Sequence, residues 1–208
     1  GENGVGKSTL LKLLLRLYDV DEGVIRYNGT PVSDYNIKSL RGNIGVVFQD
    51  LQHYSMSVRE NLCLYKENIS DDEIYSALRQ VGMEEKIKSF PKGLDTVIGR
   101  EFDPEGVEFS GGEYQKLSLA RAILYNQGMV ILDEPSSALD PISEAKFRDN
   151  LRVLCKDRTA VIVSHRLALT RSADKIVVVD GGRIVESGSH DQLMQLKGKY
   201  AEMFENQA

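Results

Sequence analysis

The sequence predicts an α/β fold in a single domain, built on a mostly parallel sheet. Two observations predict it: a glycine-rich start leads directly into an apolar helix, and short apolar strands alternate with helices from residue 129 onward. Strands that alternate with helices pair in parallel and carry the helices on the faces of the sheet. With 208 residues, 41% of them hydrophobic, the chain is long enough to bury a core of its own.

The first element is the pattern G-x-x-x-x-G-K-[ST]. Its glycines let backbone N–H groups close around a polyphosphate, Lys7 reaches the terminal phosphates, and Ser8 offers a hydroxyl to Mg²⁺. A turn that merely starts a helix needs neither the lysine nor the hydroxyls, so we expect a nucleoside triphosphate. The predicted nucleotide-binding residues are Gly1, Glu2, Asn3, Gly4, Val5, Gly6, Lys7, Ser8 and Thr9.

The apolar run Leu10–Leu17 predicts the first helix, whose N-terminal amides and dipole would point at the phosphates. The alternating segment Gly23–Tyr27 meets Asn28-Gly29, which predicts a small antiparallel hairpin. Ile44–Phe48 is predicted to be a buried strand, and Gln49 follows at its carboxyl end. In α/β sheets, functional residues lie at the carboxyl ends of the strands.

Helices and loops dominate residues 51–128. Capping boxes at Ser57–Glu60 and Ser70–Glu73 each predict a helix start, and the second helix should stop at Gly82. Tyr114–Tyr125 reads as an amphipathic helix with Leu117, Ala120, Ile123 and Leu124 on one side.

The remaining chain alternates strands and helices. The predicted strands are 129–132, 160–163, 176–179 and 183–186, with a helix after Asp140-Pro141, a short helix near Leu167 and helices at the end.

The first of these strands ends in Asp133 and Glu134. A strand that is buried on both faces ends in charged side chains where a ligand requires their charge. This pair of carboxylates is therefore the natural second half of a magnesium–triphosphate site. The alternative, acids near a helix start, is disfavoured because a loop precedes the next helix.

Composition excludes several classes of protein. A net charge of −5 argues against a general nucleic-acid binder. Cys63 and Cys155 lie far apart and lack metal-ligand spacing, so we expect reduced thiols. The sequence has no apolar run long enough to span a membrane, and we expect no targeting segment at its start.

Six segments together resemble the nucleotide-binding domain of an ATP-binding cassette (ABC) transporter, and the resemblance covers the whole chain. Gly1 to Thr9 match the family's Walker A motif, and Gln49 matches its Q-loop. The signature motif is matched by Phe109, Ser110, Gly111, Gly112 and Glu113, with Gln115 and Lys116. Met129 to Glu134 match the Walker B motif, Ser137, Ala138, Leu139 and Asp140 match the D-loop, and His165 matches the switch histidine. The resemblance implies a P-loop NTPase (RecA-like) fold with an inserted helical subdomain. Residues 1–50 and 129–208 would form the core lobe and residues 51–128 the helical lobe.

The resemblance also implies roles for the site residues. Glu134 would polarise the attacking water, with His165 and Gln49 completing the catalytic set, and ATP and Mg²⁺ would be the ligands. The magnesium ligands would be Ser8, Gln49 and Asp133. Taken singly, His165 and Gln49 would read as polar residues at strand ends.

The signature segment, Phe109–Glu113, is implied to bind the γ-phosphate of ATP held by a second copy or a related partner. Ser110 and Glu113 also fit a capping box, but a cap does not require Gly111-Gly112, which leave amides free to approach an anion. Phe109 and Glu113 replace the leucine and glutamine of the commonest family form. We expect them to preserve the phosphate contact, with an affinity that the sequence does not give.

The exporter branch is favoured by Ile37–Arg41, Ser57–Asn61 and the acidic loop around Gly99, Glu101 and Glu105, although solvated loops would look similar. Exporters fuse the ATPase behind a transmembrane permease domain, so the expected place is the cytoplasmic face of the membrane. The resemblance also leads us to expect that the family's N-terminal antiparallel strands, its adenine-stacking aromatic residue and its transmembrane region lie upstream of Gly1. The expected partners are that permease domain and a second nucleotide-binding domain, as a homodimer or heterodimer, with no nucleic acid.

Three alternatives stay open at the level of sequence. One is the ATPase subunit of an ABC importer. Another is a soluble ABC ATPase that acts on ribosomes or DNA, although the tandem cassettes, coiled coils and basic extensions of such proteins do not occur here. The third is a binding module without catalysis.

Overall fold

The computed structural model describes residues 5–48, 54–64, 66, 68–101, 103–125, 127–135, 147–148, 151, 154–155 and 158–207. The chain divides into two compact units: the first comprises residues 1–42 and 162–208, and the second comprises residues 43–161. The predicted division into a core lobe and a helical lobe stays a prediction.

Within the described residues, the elements follow the predicted order, and the helix predicted after Asp140-Pro141 begins outside the described residues. The helices are α1 Lys7–Leu14, α2 Ile37–Gly42, α3 Val58–Leu62, α4 Asp71–Gln80, α5 Glu84–Lys88, α6 Gly111–Tyr125, α7 His190–Leu196 and α8 Lys199–Glu205. The strands are β1 Arg26–Tyr27, β2 Thr30–Pro31, β3 Ile44–Val47, β4 Met129–Asp133, β5 Thr159–Val163, β6 Ile176–Asp180 and β7 Arg183–Gly188. Short 3-10 turns cover Val32–Asp34, Gly93–Asp95 and Leu167–Ser172.

Strand pairing confirms the parallel element of the prediction. β3 pairs in parallel with β4, from Ile44 opposite Met129 to Val47 opposite Leu132, in a sheet of strand order β3-β4-β5. All five residues of β4 are buried, as expected for a parallel strand covered on both faces. The pairs β1–β2 and β6–β7 are antiparallel hairpins.

The first unit begins with α1 and the hairpin β1–β2. Asn28 and Gly29 both have positive φ, 48° and 81°, which is the geometry of a two-residue turn whose twist matches the flanking strands. The hairpin predicted from Asn-Gly is therefore confirmed.

Arg41 donates from Nε to the carbonyl of Leu15 at 3.1 Å and from Nη2 to that of Arg16 at 2.8 Å, which satisfies carbonyls just after α1.

The C-terminal part of the first unit has its own apolar cluster: Leu167, Ile176, Val178, Leu193 and Tyr200, with Met194, Met203 and Phe204 packed against it. The Tyr200 hydroxyl lies 3.0 Å from Thr170 Oγ1 and 2.9 Å from His190 Nδ1, so this buried polar group is satisfied. Glu186 accepts the N–H groups of Lys199 and Tyr200 at 2.5 and 3.0 Å, which caps the start of α8.

In the second unit, both predicted capping boxes form. Ser57 and Glu60 cap α3, and Ser70 and Glu73 cap α4, with the reciprocal side-chain and backbone bonds present in each. α4 ends at Gln80, and Gly82 follows with φ 68°, in the left-handed conformation expected of a glycine that terminates a helix.

The helix predicted from Tyr114 begins at Gly111 instead, because Ser110 and Glu113 cap it three residues earlier. Its buried apolar residues are Leu117, Leu119, Ala120 and Ala122, while Ile123 and Leu124 are half-buried. The predicted face of this helix was thus partly wrong: Leu119 and Ala122, not Ile123 and Leu124, complete the buried set.

Charged pairs hold the helices of the second unit. Glu84 accepts from Arg79 Nε at 2.6 Å and from Lys88 Nζ at 2.8 Å, which ties the end of α4 to α5. These two hydrogen bonds lower the pKa of Glu84 to about 2. Arg59 of α3 reaches Asp71 at 2.5 Å and Asp95 at 2.9 Å. The same two bonds raise the pKa of Arg59 further above its usual value.

Candidate functional site

The described part of the glycine-rich motif forms the start of α1. Gly6 is the N-cap with φ 98°, a left-handed conformation that glycine adopts without strain, and Leu10 N–H donates to its carbonyl at 3.0 Å. Lys7 is half-buried, whereas Ser8 and Thr9 are exposed. The first turn of α1 contains no acidic residue. Gly1, Glu2, Asn3 and Gly4 lie outside the described residues.

The end of β4 places two carboxylates at the edge of the sheet. Asp133 and Glu134 are each only 7% exposed. Glu134 has φ 49°, in the left-handed region that costs a non-glycine residue about 1–2 kcal/mol. Such strain occurs at functional positions, where the surrounding structure holds the side chain in place.

Gln115 links this edge to α6 within the second unit. Its side chain is buried, and its Nε2 donates a hydrogen bond to the carbonyl of Pro135, the residue after Glu134. The helix that begins at the signature segment therefore contacts the turn that carries the Glu134 carboxylate.

The signature segment opens α6 in the geometry of a capping box. Ser110 N–H donates to Glu113 Oε2 at 3.0 Å, and Glu113 N–H donates to Ser110 Oγ at 3.4 Å. Ser110 and Gly111 are exposed and Gly112 is half-buried, so this helix start faces solvent. The second oxygen of Glu113 lies 2.6 Å from Lys86 Nζ.

The pKa of Glu113 reflects these contacts. Burial by itself would raise this pKa, but the bonds from Lys86 and from Ser110 outweigh it, and the pKa lies below its usual value. Glu113 is therefore ionised at neutral pH.

His165 follows β5 in the first unit and is exposed. The Gln207 side chain holds the backbone around it: Gln207 Nε2 donates to the His165 carbonyl at 2.8 Å, and Leu167 N–H donates to Gln207 Oε1 at 3.0 Å. Arg166 N–H also donates to Ser164 Oγ at 2.9 Å. The backbone on both sides of the histidine is thus anchored.

The predicted site residues fall into three groups. Val5–Thr9 and His165 belong to the first unit, and Ser110–Glu113, Asp133 and Glu134 belong to the second, where Gln115 joins α6 to the end of β4. Gln49 and the D-loop residues Ser137, Ala138, Leu139 and Asp140 lie outside the described residues.

Sequence reasoning missed two residues beside this site, Lys86 and Gln207. Each acts through a partner distant in sequence, 27 residues away for Glu113 and 42 for His165. Only the unusual glutamate at position 113, which requires a counter-charge, gave a signal for Lys86. No local pattern pointed to Gln207.

Comparison with known proteins identifies the family. The profile of the family described as "ABC transporter" matches residues 1–137. The chain belongs to the ABC transporter family. The resemblance drawn from the six motifs is confirmed, and so is the P-loop NTPase fold class.

Named relatives are proteins of the same ABC family. A Bacillus subtilis (strain 168) protein, provisionally named as multidrug export ATP-binding/permease protein YgaD, is 42% identical over 204 residues, which are 98% of this chain and 34% of the relative. The uncharacterized ABC transporter ATP-binding protein YwjA of the same organism is 42% identical over 207 residues, 100% of this chain and 35% of the relative. The chain thus spans about a third of the length of these curated relatives.

A solved structure of an ABC protein shares the fold. The structure of a bacterial Atm1-family ABC exporter with ATP bound matches with a TM-score of 0.91 and 34% identity, over 100% of this chain and 36% of that chain. In the part of the chain that the structure describes, none of the helices has the length and apolar character of a membrane span.

Proposed function

We propose that this ABC chain binds and hydrolyses ATP and that the hydrolysis powers export across a membrane. The observation that carries the proposal is the fully buried strand β4, which delivers Asp133 and Glu134, both 7% exposed, to the edge of a parallel sheet. Burying two carboxylates is costly unless their charge is compensated, and a bound magnesium–triphosphate would compensate it.

Each predicted site residue has its own role in phosphoryl transfer to water. Lys7 and the amides that start α1 hold the phosphates, and Glu134 accepts the proton of the attacking water as a general base. His165 donates a hydrogen bond to the γ-phosphate, where negative charge builds up in the transition state. Gln49 orients the attacking water. Ser137, Ala138, Leu139 and Asp140 would be the family's D-loop.

The residues present also fit magnesium. Ser8 offers a hydroxyl, Asp133 a carboxylate and Gln49 an amide carbonyl, all of them hard oxygen ligands of the kind that Mg²⁺ prefers. When bound, Mg²⁺ neutralises charge on the β- and γ-phosphates.

The second half of the site is supplied by another chain. The exposed start of α6, Ser110–Gly112, offers backbone amides and the positive end of a helix of 15 residues to the γ-phosphate bound by its partner. Two ATP molecules would be sandwiched between two nucleotide-binding domains arranged head to tail. Hydrolysis would release the sandwich.

Export is favoured by the relatives. YgaD is named for multidrug export as an ATP-binding/permease protein, and the structural neighbour is an exporter. By analogy, a transmembrane permease domain is the coupled partner, and the ATPase works at the cytoplasmic face of the membrane. The importer and the ribosome- or DNA-directed ATPase receive no comparable support.

Replacing Glu134 with glutamine tests the proposal on the whole encoded protein. The glutamine keeps the size of the side chain but cannot accept a proton, so we expect ATP turnover to fall about 100-fold or more while ATP binding persists. Turnover is measured by phosphate release with Mg²⁺ and with EDTA, and binding is measured with labelled ATP. Unchanged turnover in Glu134→Gln, or turnover that EDTA does not affect, would contradict the proposal.

A further inference from the structure

The signature segment differs from the commonest family form at Phe109 and Glu113, and one side chain outside the motif contacts both positions. Lys86, on α5, places its Nζ 2.6 Å from Glu113 Oε1 and 5.0 Å from the centroid of the Phe109 ring. These distances correspond to a charge-assisted hydrogen bond and a cation–π contact.

Glu113 uses its two carboxylate oxygens for different tasks. Oε2 accepts the Ser110 N–H at 3.0 Å and closes the capping box, while Oε1 binds Lys86. A glutamine could close the same box without bringing a negative charge. The glutamate places that charge directly after Gly111-Gly112, where it repels any phosphate that approaches the helix start.

Phe109 fixes the other end of the segment. It is 7% exposed, stacks on Phe90 with ring centroids 6.1 Å apart, and meets Tyr114 edge-on at 5.7 Å. The Lys86 ammonium lies over the Phe109 ring, 5.0 Å from its centroid. One lysine thus contacts both the aromatic anchor and the carboxylate that flank the two glycines.

We propose that Lys86 is a positioning residue for the phosphate contact of the signature segment, which it makes possible by cancelling the charge of Glu113. This inference rests on the proposed function, in which Ser110–Gly112 meet the γ-phosphate held by a second chain. Lys86 acts through Glu113 and does not itself touch the nucleotide.

Removing Lys86 should weaken ATP affinity and leave the chemical step intact. In Lys86→Ala the uncompensated carboxylate opposes the phosphate, so we expect KM for ATP to rise about fivefold, the upper range for a partly exposed ion pair. kcat at saturating ATP should change less than twofold, because Glu134 and His165 are untouched. Lys86→Arg keeps the charge and should keep KM near that of the unmodified protein.

The decisive experiment is a double-mutant cycle with Glu113→Gln. Where position 113 carries no charge, Lys86→Ala should change KM by less than twofold. Lys88→Ala is a matched control, because Lys88 lies on the same helix, pairs with Glu84 at 2.8 Å and covers the Tyr75 ring at 4.9 Å without reaching the signature segment. It should leave KM unchanged in both backgrounds.

The outcomes separate this inference from the proposed function. Unmodified protein without magnesium-dependent turnover overturns the proposed function and this inference with it. With turnover established, an unchanged KM in Lys86→Ala, or an equal rise in both Glu113 backgrounds, overturns the inference alone, since a role in packing Phe109 would not depend on the charge at 113. Thermal unfolding of each variant shows that the proteins compared are folded.

Discussion

In the proposed function, Lys7 is the residue on which triphosphate binding depends most directly. It lies in the first turn of α1, half-buried beside the left-handed Gly6. An ammonium held at the positive end of a helix is stabilised by an anion, and a triphosphate supplies one.

Lys7→Ala should therefore raise the Kd for ATP about tenfold or more, the cost of losing charge-assisted hydrogen bonds to the phosphates. Lys12→Ala is the matched control, because Lys12 is exposed in the last turn of the same helix and should leave Kd unchanged. Binding of labelled ATP to the whole protein measures both. Equal affinity of Lys7→Ala and the unmodified protein would remove α1 from the nucleotide site.

Among the elements, the α4–α5 corner is held in part by one carboxylate. Arg79 and Lys88 converge on Glu84, which is 7% exposed, and their hydrogen bonds lower its pKa from 4.5 to about 2. A group whose pKa is depressed by folding stabilises the folded state above its unfolded pKa and loses that effect as pH falls through the folded value. The contribution of Glu84 should thus be present above about pH 4.5 and fade between pH 4.5 and pH 2.

Glu84→Gln should lower Tm at neutral pH, and the difference from the unmodified protein should shrink as pH falls below about 4.5. Glu85→Gln supplies the comparison, since Glu85 is an exposed neighbour on α5. Thermal unfolding followed by circular dichroism across this pH range measures both variants. A Tm difference that stays constant with pH would mean that the Glu84 charge does not stabilise the corner.

The elements that sequence predicted well are those fixed by neighbours in sequence. The capping boxes at Ser57 and Ser70 and the turn at Asn28-Gly29 are complete within four residues, so their patterns can be read directly. Lys86 with Glu113, and Gln207 with His165, depend on how distant segments pack, and no local period encodes them. The buried face of α6 was predicted only in part for the same reason: its neighbours, not its own period, decide which side is covered.

At the scale of the whole molecule, the proposed function divides the site residues of one chain between two binding surfaces. In that proposal Lys7 lies on the surface that holds ATP, and Ser110 lies at the helix start offered to a second chain. If two domains face each other head to tail, each complete site takes one surface from each chain.

Two defective variants should then complement each other. Lys7→Ala removes the lysine that binds the phosphates, and Ser110→Arg blocks the signature segment. In a mixed dimer of the two variants, one of the two sites combines the intact Lys7 of one chain with the intact Ser110 of the other. Co-expression of the variants with different tags, followed by purification on both tags in succession, should yield ATP turnover that neither variant shows alone. No recovery in the doubly purified protein would mean that both surfaces serve the same ATP within one chain.

The left-handed backbone of Glu134 has a consequence for how this position tolerates change. At φ 49° a glycine or an asparagine would sit with less strain, a relief of about 1 kcal/mol. A laboratory selection that rewards only heat resistance or expression yield would therefore drift away from glutamate here. An acid that persisted at residue 134 under such pressure would mean that the contacts of Glu134 outweigh this strain.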